Sequence, residues 1–179
     1  MFAKLQDGGV TTVANNNMTN SAPPGLDHGV CAVYSCAGMF VAAKADSTVV
    51  NWGGPNIYSS SFNTFSSEVA PVTGGAKLAG VTCTAFGPAY LMDDGTVLGV
   101  NKSNHTVVLF GSGAISVSST LGAFAVLANN GSVTTFGYPG TQLPNSSAVP
   151  ADLASGVAAL YATTGAFAAV HTDRSLTTW

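Results

Sequence analysis

Charge is scarce in this sequence: 5 Lys and Arg and 8 Asp and Glu among 179 residues, or 7%, where about 25% is usual in soluble domains. The net charge of -3 comes with no Lys/Arg cluster, so no row of phosphates could be neutralised. That argues against nucleic acid and against an anionic membrane surface as partners. Residues 103 to 151 hold no Asp, Glu, Lys or Arg, yet Gly111, Gly113, Gly122, Gly131, Gly137, Pro139 and Gly140 interrupt them. No window therefore supplies the roughly 20 mainly apolar residues of a membrane-spanning helix. The opening MFAKLQDGGVTT also lacks the basic start and the apolar run of about 7 or more residues that mark a secretory signal.

What is present is an apolar fraction of 46% and 21 glycines, with abundant Thr, Ser and Asn. The apolar content excludes a disordered tail, and the glycines favour short strands and turns over long helices. A soluble surface with so little charge must be shielded by glycans or covered by neighbours to stay dispersed.

Five segments share one pattern. They read MFAKLQDGGVTTV from Met1, MFVAAKADSTVVNWG from Met39, AYLMDDGTVLGV from Ala89, AFAVLANNGSVTTFG from Ala123 and AFAAVHTDRSLTTW from Ala166. Each is an apolar run led by an aromatic residue, a turn, and a β-branched run. Asp7-Gly8, Asp94-Gly95 and Asn130-Gly131 suit a two-residue hairpin loop with positive φ, and Asp46-Ser47 and Asp173-Arg174 hold the same place less ideally. Hairpins are expected near 1-13, 39-53, 89-100, 123-137 and 166-179.

A second in-register piece precedes two of them. Leu26, Gly29, Val30 and Tyr34 lie 14, 11, 10 and 6 residues before Phe40, and Leu153, Gly156, Val157 and Tyr161 lie identically before Phe167. The third copy is degenerate, with Leu78, Gly80 and Val81 ahead of a shortened link, and the fourth keeps an Ile115 to Ser119 strand. From turn to turn the spacings are 48, 36 and 43 residues, near the ~40 to 50 of propeller blades. The unit is thus a strand, a link, a hairpin and a Pro/Ser/Asn-rich connector, and 1-179 reads as one repeat domain of four to five copies. Both ends cut through a repeat, so a segment of a longer repeat protein is expected.

The pattern Phe-Ala-x-x-x-x-Asp-Gly-Ser-Val-x-x-Trp-Gly, best seen in Phe124 to Gly137, Phe40 to Gly53 and Phe167 to Trp179, resembles repeats of the regulator-of-chromosome-condensation type. That resemblance implies β-propeller blades. The Ala89 copy departs from it with Val100 where Trp or Phe is expected, and no residue matches the nucleotide-exchange activity of some family members. The expected fold is all-β, a β-propeller-like array of antiparallel hairpin repeats. A β-solenoid is the alternative, although its parallel strands need no Asn-Gly reversals.

Phe40, Tyr90, Phe124 and Phe167 recur once per repeat, as does Phe2, and are expected to anchor the core between blades. Tyr34 and Tyr161 are expected to share that role, with Trp52, Phe136 and Trp179 packing from the second hairpin strand. The three cysteines do not make a zinc set with the scattered His28, His105 and His171. A disulfide between Cys36 and Cys83, joining adjacent repeats, is expected, with Cys31 free or joined to another chain; three reduced thiols are the alternative.

Five Asn-x-Ser/Thr sequons occur, at Asn17, Asn101, Asn104, Asn130 and Asn145. N-glycosylation is expected at Asn17, Asn101, Asn104 and Asn145, while Asn130 sits in a tight turn with little room for a glycan. Asp93-Asp94 is the sole acidic pair, and adjacent residues entering a turn do not form a catalytic couple. His171 stands where Ala128 and Lys44 stand in sister repeats and is expected to face solvent. GSGAIS from Gly111 lacks the Lys and the helix of a phosphate loop. No catalytic residue, cofactor or metal is expected.

These features point to a non-enzymatic extracellular structural or adhesive repeat protein, a glycoprotein subunit of a surface layer, fibre or appendage. Its expected partners are other copies, other surface proteins or glycans. The alternative is a soluble propeller platform that binds a protein or glycan through loops on one face, with Tyr58 and Phe62 in the longest connectors.

Overall fold

A computed structural model describes residues 2-6, 8-13, 23-36, 39-53, 67-69, 75-85, 87-100, 106-137 and 149-179. The chain falls into two units, Met1–Leu78 and Ala79–Trp179. The described residues are almost entirely β. The first unit carries β1 (Phe2–Gln6), β2 (Gly9–Val13), β3 (Val30–Cys36), β4 (Met39–Lys44), β5 (Val49–Gly53) and β6 (Ser67–Val69). The second carries β7 (Leu78–Thr84, starting at the boundary residue), β8 (Gly87–Met92), β9 (Val97–Val100), β10 (Thr106–Phe110), β11 (Ala114–Ser119), β12 (Ala123–Ala128) and β13 (Val133–Gly137). It ends with a 3-10 turn (Ala151–Ala154), β14 (Val157–Ala162), β15 (Phe167–His171) and β16 (Leu176–Thr178).

These strands form five antiparallel sheets, ordered β1-β2, β3-β4-β5-β6, β10-β9-β8-β7, β11-β12-β13 and β14-β15-β16. Strand order within each sheet follows chain order, as in a propeller blade. Each hairpin foreseen from the sequence corresponds to a strand pair: β1-β2, β4-β5, β8-β9, β12-β13 and β15-β16. The antiparallel reversal at every pair excludes the solenoid.

The hairpin turns differ from expectation. At Asp94-Gly95 the Met92 amide donates to the Thr96 carbonyl (2.9 Å) and the Gly95 amide to the Met92 carbonyl (3.0 Å), enclosing three residues rather than two. The same pair of bonds closes the turns at Ser47, Gly131 and Arg174. Only the third loop residue takes positive φ, at 71° for Ser47, 77° for Gly95, 79° for Gly131 and 72° for Arg174. This is a turn followed by a one-residue bulge, and it frees the preceding Asp or Asn for another task. Asp46, Asp94, Asn130 and Asp173 each accept the amide two residues on, at 2.8 to 3.0 Å. The side chain caps the turn, which is why Asp and Asn serve equally well there.

The first strand of a blade joins the turn of the blade before it. In the first unit Val30 N donates to Gly8 O (2.9 Å), and in the second Ala114 N donates to Gly95 O (3.0 Å) and Val157 N to Gly131 O (3.0 Å). The residue ahead of each donor is a left-handed glycine, Gly29, Gly113 or Gly156. Its carbonyl in turn accepts from its own blade's turn, from Ala45, Asn129 and Thr172 respectively. Each of these first strands carries a bulge one residue after the donor, a device that bends a strand and sharpens its twist.

Apolar faces pack across the same junctions. Phe124 and Val126 meet Ala89, Val97 and Ala114, while Ala123, Ala125, Leu127 and Val133 meet Leu153, Val157, Leu160, Phe167 and Ala169. In the first unit Leu26, Val30, Phe40, Ala42 and Trp52 form the equivalent core. A buried apolar set this regular stabilises each blade mainly through its neighbour.

Candidate functional site

Phe40, Tyr90, Phe124 and Phe167 are all buried, and three of them pair with an aromatic ring of the next strand. Phe40 stacks on Trp52 at 5.3 Å between centroids, Phe124 meets Phe136 at 5.8 Å, and Phe167 meets Trp179 at 5.3 Å. The two tyrosines behave otherwise. Tyr161 is 61% exposed and Tyr34 is half-buried, because both lie on the face opposite to the buried valine of their strand. Tyr161 is therefore an outward residue and not a core anchor, whereas Tyr34 pairs with the fully buried Val41.

Cys83 is disulfide-bonded, and Cys31 carries a free, exposed thiol at the bulge of β3. The side chain of Cys36 lies outside the described residues, as do Asn17, Asn101, Asn104, Asn145, Tyr58, Phe62 and His105. Asn130 is described: its Oδ1 accepts both the Ser132 amide (3.0 Å) and the Ser132 hydroxyl (2.7 Å).

Asp94 caps the turn at Thr96, and Asp93 beside it is likewise exposed. His171 does not face solvent as expected. Its side chain is only 11% exposed, and Nε2 lies 3.0 Å from Thr177 Oγ1, which donates to Asp152 Oδ2 at 2.5 Å. Since the threonine proton goes to the carboxylate, His171 Nε2 is the donor to the hydroxyl. Asp152 itself stands 3.8 Å from that nitrogen. The 3-10 turn at 151–154 brings Asp152 over the hairpin end, a long-range event that no local pattern announces. The arrangement orients the threonine between acid and imidazole, so it is a clamp between connector and hairpin. Among the described residues no group of three or more His, Cys, Asp or Glu side chains converges as a metal site.

Two recurrent positions were not picked out from the sequence. Gly113 fills the left-handed place of Gly29 and Gly156, and its spacing of 11 residues before Phe124 is the same signal. Thr84, Thr120 and Thr163 each close the link between first and second strand by accepting the amide three residues on, at Gly87, Ala123 and Ala166. Thr120 and Thr163 stand three residues ahead of their hairpin leads Ala123 and Ala166, which was the available cue; Thr84 stands five ahead of Ala89, because that hairpin strand starts at Gly87.

The surface feature that stands out is the face of β14-β15-β16 turned away from β11-β13. Paired residues share a face of an antiparallel sheet, which places Ala159, Val170 and Leu176 in one row and Tyr161, Ala168 and Thr178 in the next. None is charged, and Leu176 is 62% exposed.

Neither a protein-family model nor a curated protein matches this sequence. Solved structures do. Prp20p from Saccharomyces cerevisiae, in a study of its binding to Gsp1p and histones, matches with a TM-score of 0.61 and 13% identity over 84% of this chain and 44% of its own. Yeast RCC1 (Prp20) bound to Kap60 gives 0.59 and 12% over 84% and 43%. The ectodomain of the receptor kinase CR4 from Physcomitrella patens gives 0.60 and 15% over 99% and 48%. These are β-propellers, and the likeness defines the fold class of this chain as blades of that kind. The chain spans less than half the length of each. Among the described residues no helix is long and apolar enough to cross a membrane.

Proposed function

We propose that this chain is a non-enzymatic extracellular repeat protein of the regulator-of-chromosome-condensation blade type, working as a structural or adhesive subunit at a cell surface. The observation that carries the reading is the disulfide at Cys83, since such bonds persist in oxidising compartments and are rare in the cytosol. Charge poverty and the sequons at Asn17, Asn101, Asn104 and Asn145 support it, because glycans would keep a surface with 7% charged residues dispersed. The test is intact mass of the native protein, with and without reduction and deglycosylation, with thiol labelling. Expected are extra mass removed by deglycosylation, labelling of Cys31 without reductant, and labelling of Cys83 only after reduction. An unglycosylated, fully reduced chain would overturn the reading.

The second reading is a soluble propeller platform that binds a protein or a glycan. It is favoured by the neighbours, which include Prp20p, studied for binding to Gsp1p and histones, and a receptor-kinase ectodomain. Loss of a partner from the native protein on mutation of connector residues, in material that is reduced and unglycosylated, would favour this reading over the first.

A further inference from the structure

The turn between β12 and β13 carries a sequon, Asn130-Gly131-Ser132, that a two-residue loop would leave without room for a glycan. The observed loop is wider. It encloses Asn129, Asn130 and Gly131, closed by the Ala128 amide on the Ser132 carbonyl and by the Gly131 amide on the Ala128 carbonyl, each at 2.9 Å. Asn130 stands in the middle of that loop and is exposed. The close approach of the next blade falls on its neighbour, since a β-carbon at Gly131 would lie 2.8 Å from Gly156 N.

The fold uses only one end of the Asn130 carboxamide. Oδ1 accepts the Ser132 amide at 3.0 Å and the Ser132 hydroxyl at 2.7 Å. A backbone amide can only donate, so the side-chain oxygen must face it and Nδ2 is turned away. Among the described residues Nδ2 has no hydrogen-bond partner. An N-linked sugar is attached at that nitrogen, and the substituted amide keeps Oδ1 as an acceptor. Glycosylation would therefore cost the turn none of its bonds.

The cap itself does not call for Asn. At the equivalent place Asp46, Asp94 and Asp173 hold their turns through the same oxygen, each with Ser or Thr two residues on. What Asn130 adds to this arrangement is the amide nitrogen, which turns the recurrent motif into a sequon. The surrounding residues 103 to 151 hold no Asp, Glu, Lys or Arg, so a glycan would supply hydration where no charge does.

We propose that Asn130 is an occupied N-glycosylation site, its glycan attached at the exposed turn between β12 and β13. The donor is a lipid-pyrophosphate-linked oligosaccharide, and the transferase is that of the secretory pathway. Nδ2 attacks C1 of the first sugar and gives up one proton to the transferase as the Nδ2–C1 bond forms. The C1–O bond breaks, and its electron pair leaves on the lipid pyrophosphate. The proposal rests on the extracellular reading and adds a site to it.

The test is peptide mapping of the full chain secreted from eukaryotic cells, taken from its folded, protease-resistant fraction. Glycosidase treatment in heavy-oxygen water converts each occupied Asn to labelled Asp, and a parallel sample without the glycosidase corrects for spontaneous deamidation of Asn130-Gly131. Label is expected at Asn130 in most chains. Ser132→Ala is expected to abolish it and to leave the labels at Asn17, Asn101, Asn104 and Asn145. Asn130→Asp, which keeps the cap, is expected to remove the mass of one glycan from the secreted chain. An unlabelled Asn130 beside labelled sequons elsewhere would overturn the proposal and leave the extracellular reading standing. So would label at Asn130 confined to misfolded material, because the folded turn would then exclude the glycan. A chain bare at every sequon would overturn both.

Discussion

The amide of Val157 donates to the carbonyl of Gly131 at 3.0 Å, and the α-carbon of Gly131 comes so close to Gly156 that no side chain fits between them. One hydrogen bond and one missing β-carbon therefore hold β14 against the preceding turn. The same construction joins Ala114 to Gly95, and it makes the left-handed turn residue a junction element as well as a turn element.

That geometry separates three glycines of one unit. Gly131→Ala meets both positive φ and the Gly156 backbone, Gly156→Ala meets positive φ with open space around it, and Gly111→Ala meets neither. Unfolding by urea is expected to show a loss of about 1 to 2 kcal/mol for Gly156→Ala, a larger one for Gly131→Ala, and less than about 0.5 kcal/mol for Gly111→Ala. Equal losses at Gly131 and Gly156 would refute the close approach.

Phe124 is fully buried between Ala89, Val97 and Val126 and pairs with Phe136. Phe124→Ala is expected to destabilise the second unit by ~3 to 5 kcal/mol. A loss below ~1 kcal/mol would mean that the ring is not core.

Asp173 accepts the hydroxyl and the amide of Ser175, and these bonds hold its carboxyl below the ordinary 3.8. A depressed folded value means that the contribution to stability is present above the unfolded value, near pH 4, and is lost as pH falls through the folded one. Carboxyl NMR is expected to place the midpoint under 3.8, the ordinary aspartate value. Asp173→Asn keeps the cap, as Asn130 does in its own turn, and removes this part of the acid sensitivity. A midpoint at or above the ordinary value would contradict the capping role.

Thr177 stands between His171 Nε2 and Asp152 Oδ2. Thr177→Val keeps the shape and removes both bonds, and a cost of about 1 kcal/mol is expected. Faster hydrogen exchange at the Leu153 amide, which donates to Pro150 O across the 3-10 turn, is the specific readout. Unchanged exchange there would show that the clamp does not secure the connector.

Much of this architecture was legible in the sequence, since a hairpin repeat is written in short-range terms. An aromatic-led apolar run, a turn with Asp or Asn, and a β-branched run determine where the chain reverses and which residues alternate. The 11-residue interval from Gly29 to Phe40 and from Gly156 to Phe167 likewise announced the blade junction, and Gly113 obeys it too. Tertiary structure decided which faces are covered. Tyr161 and Leu160 are neighbours in one strand, and only the sheet packed beside them buries the leucine and leaves the tyrosine in solvent. His171 resembled a variable surface position until a connector brought Asp152 across to it. Val133 and Leu176 occupy equivalent places in their repeats, and one is core and the other surface solely because of what lies next to each. Periodicity sets the direction of a side chain, but burial is a property of the neighbour, and the neighbour is distant in the chain.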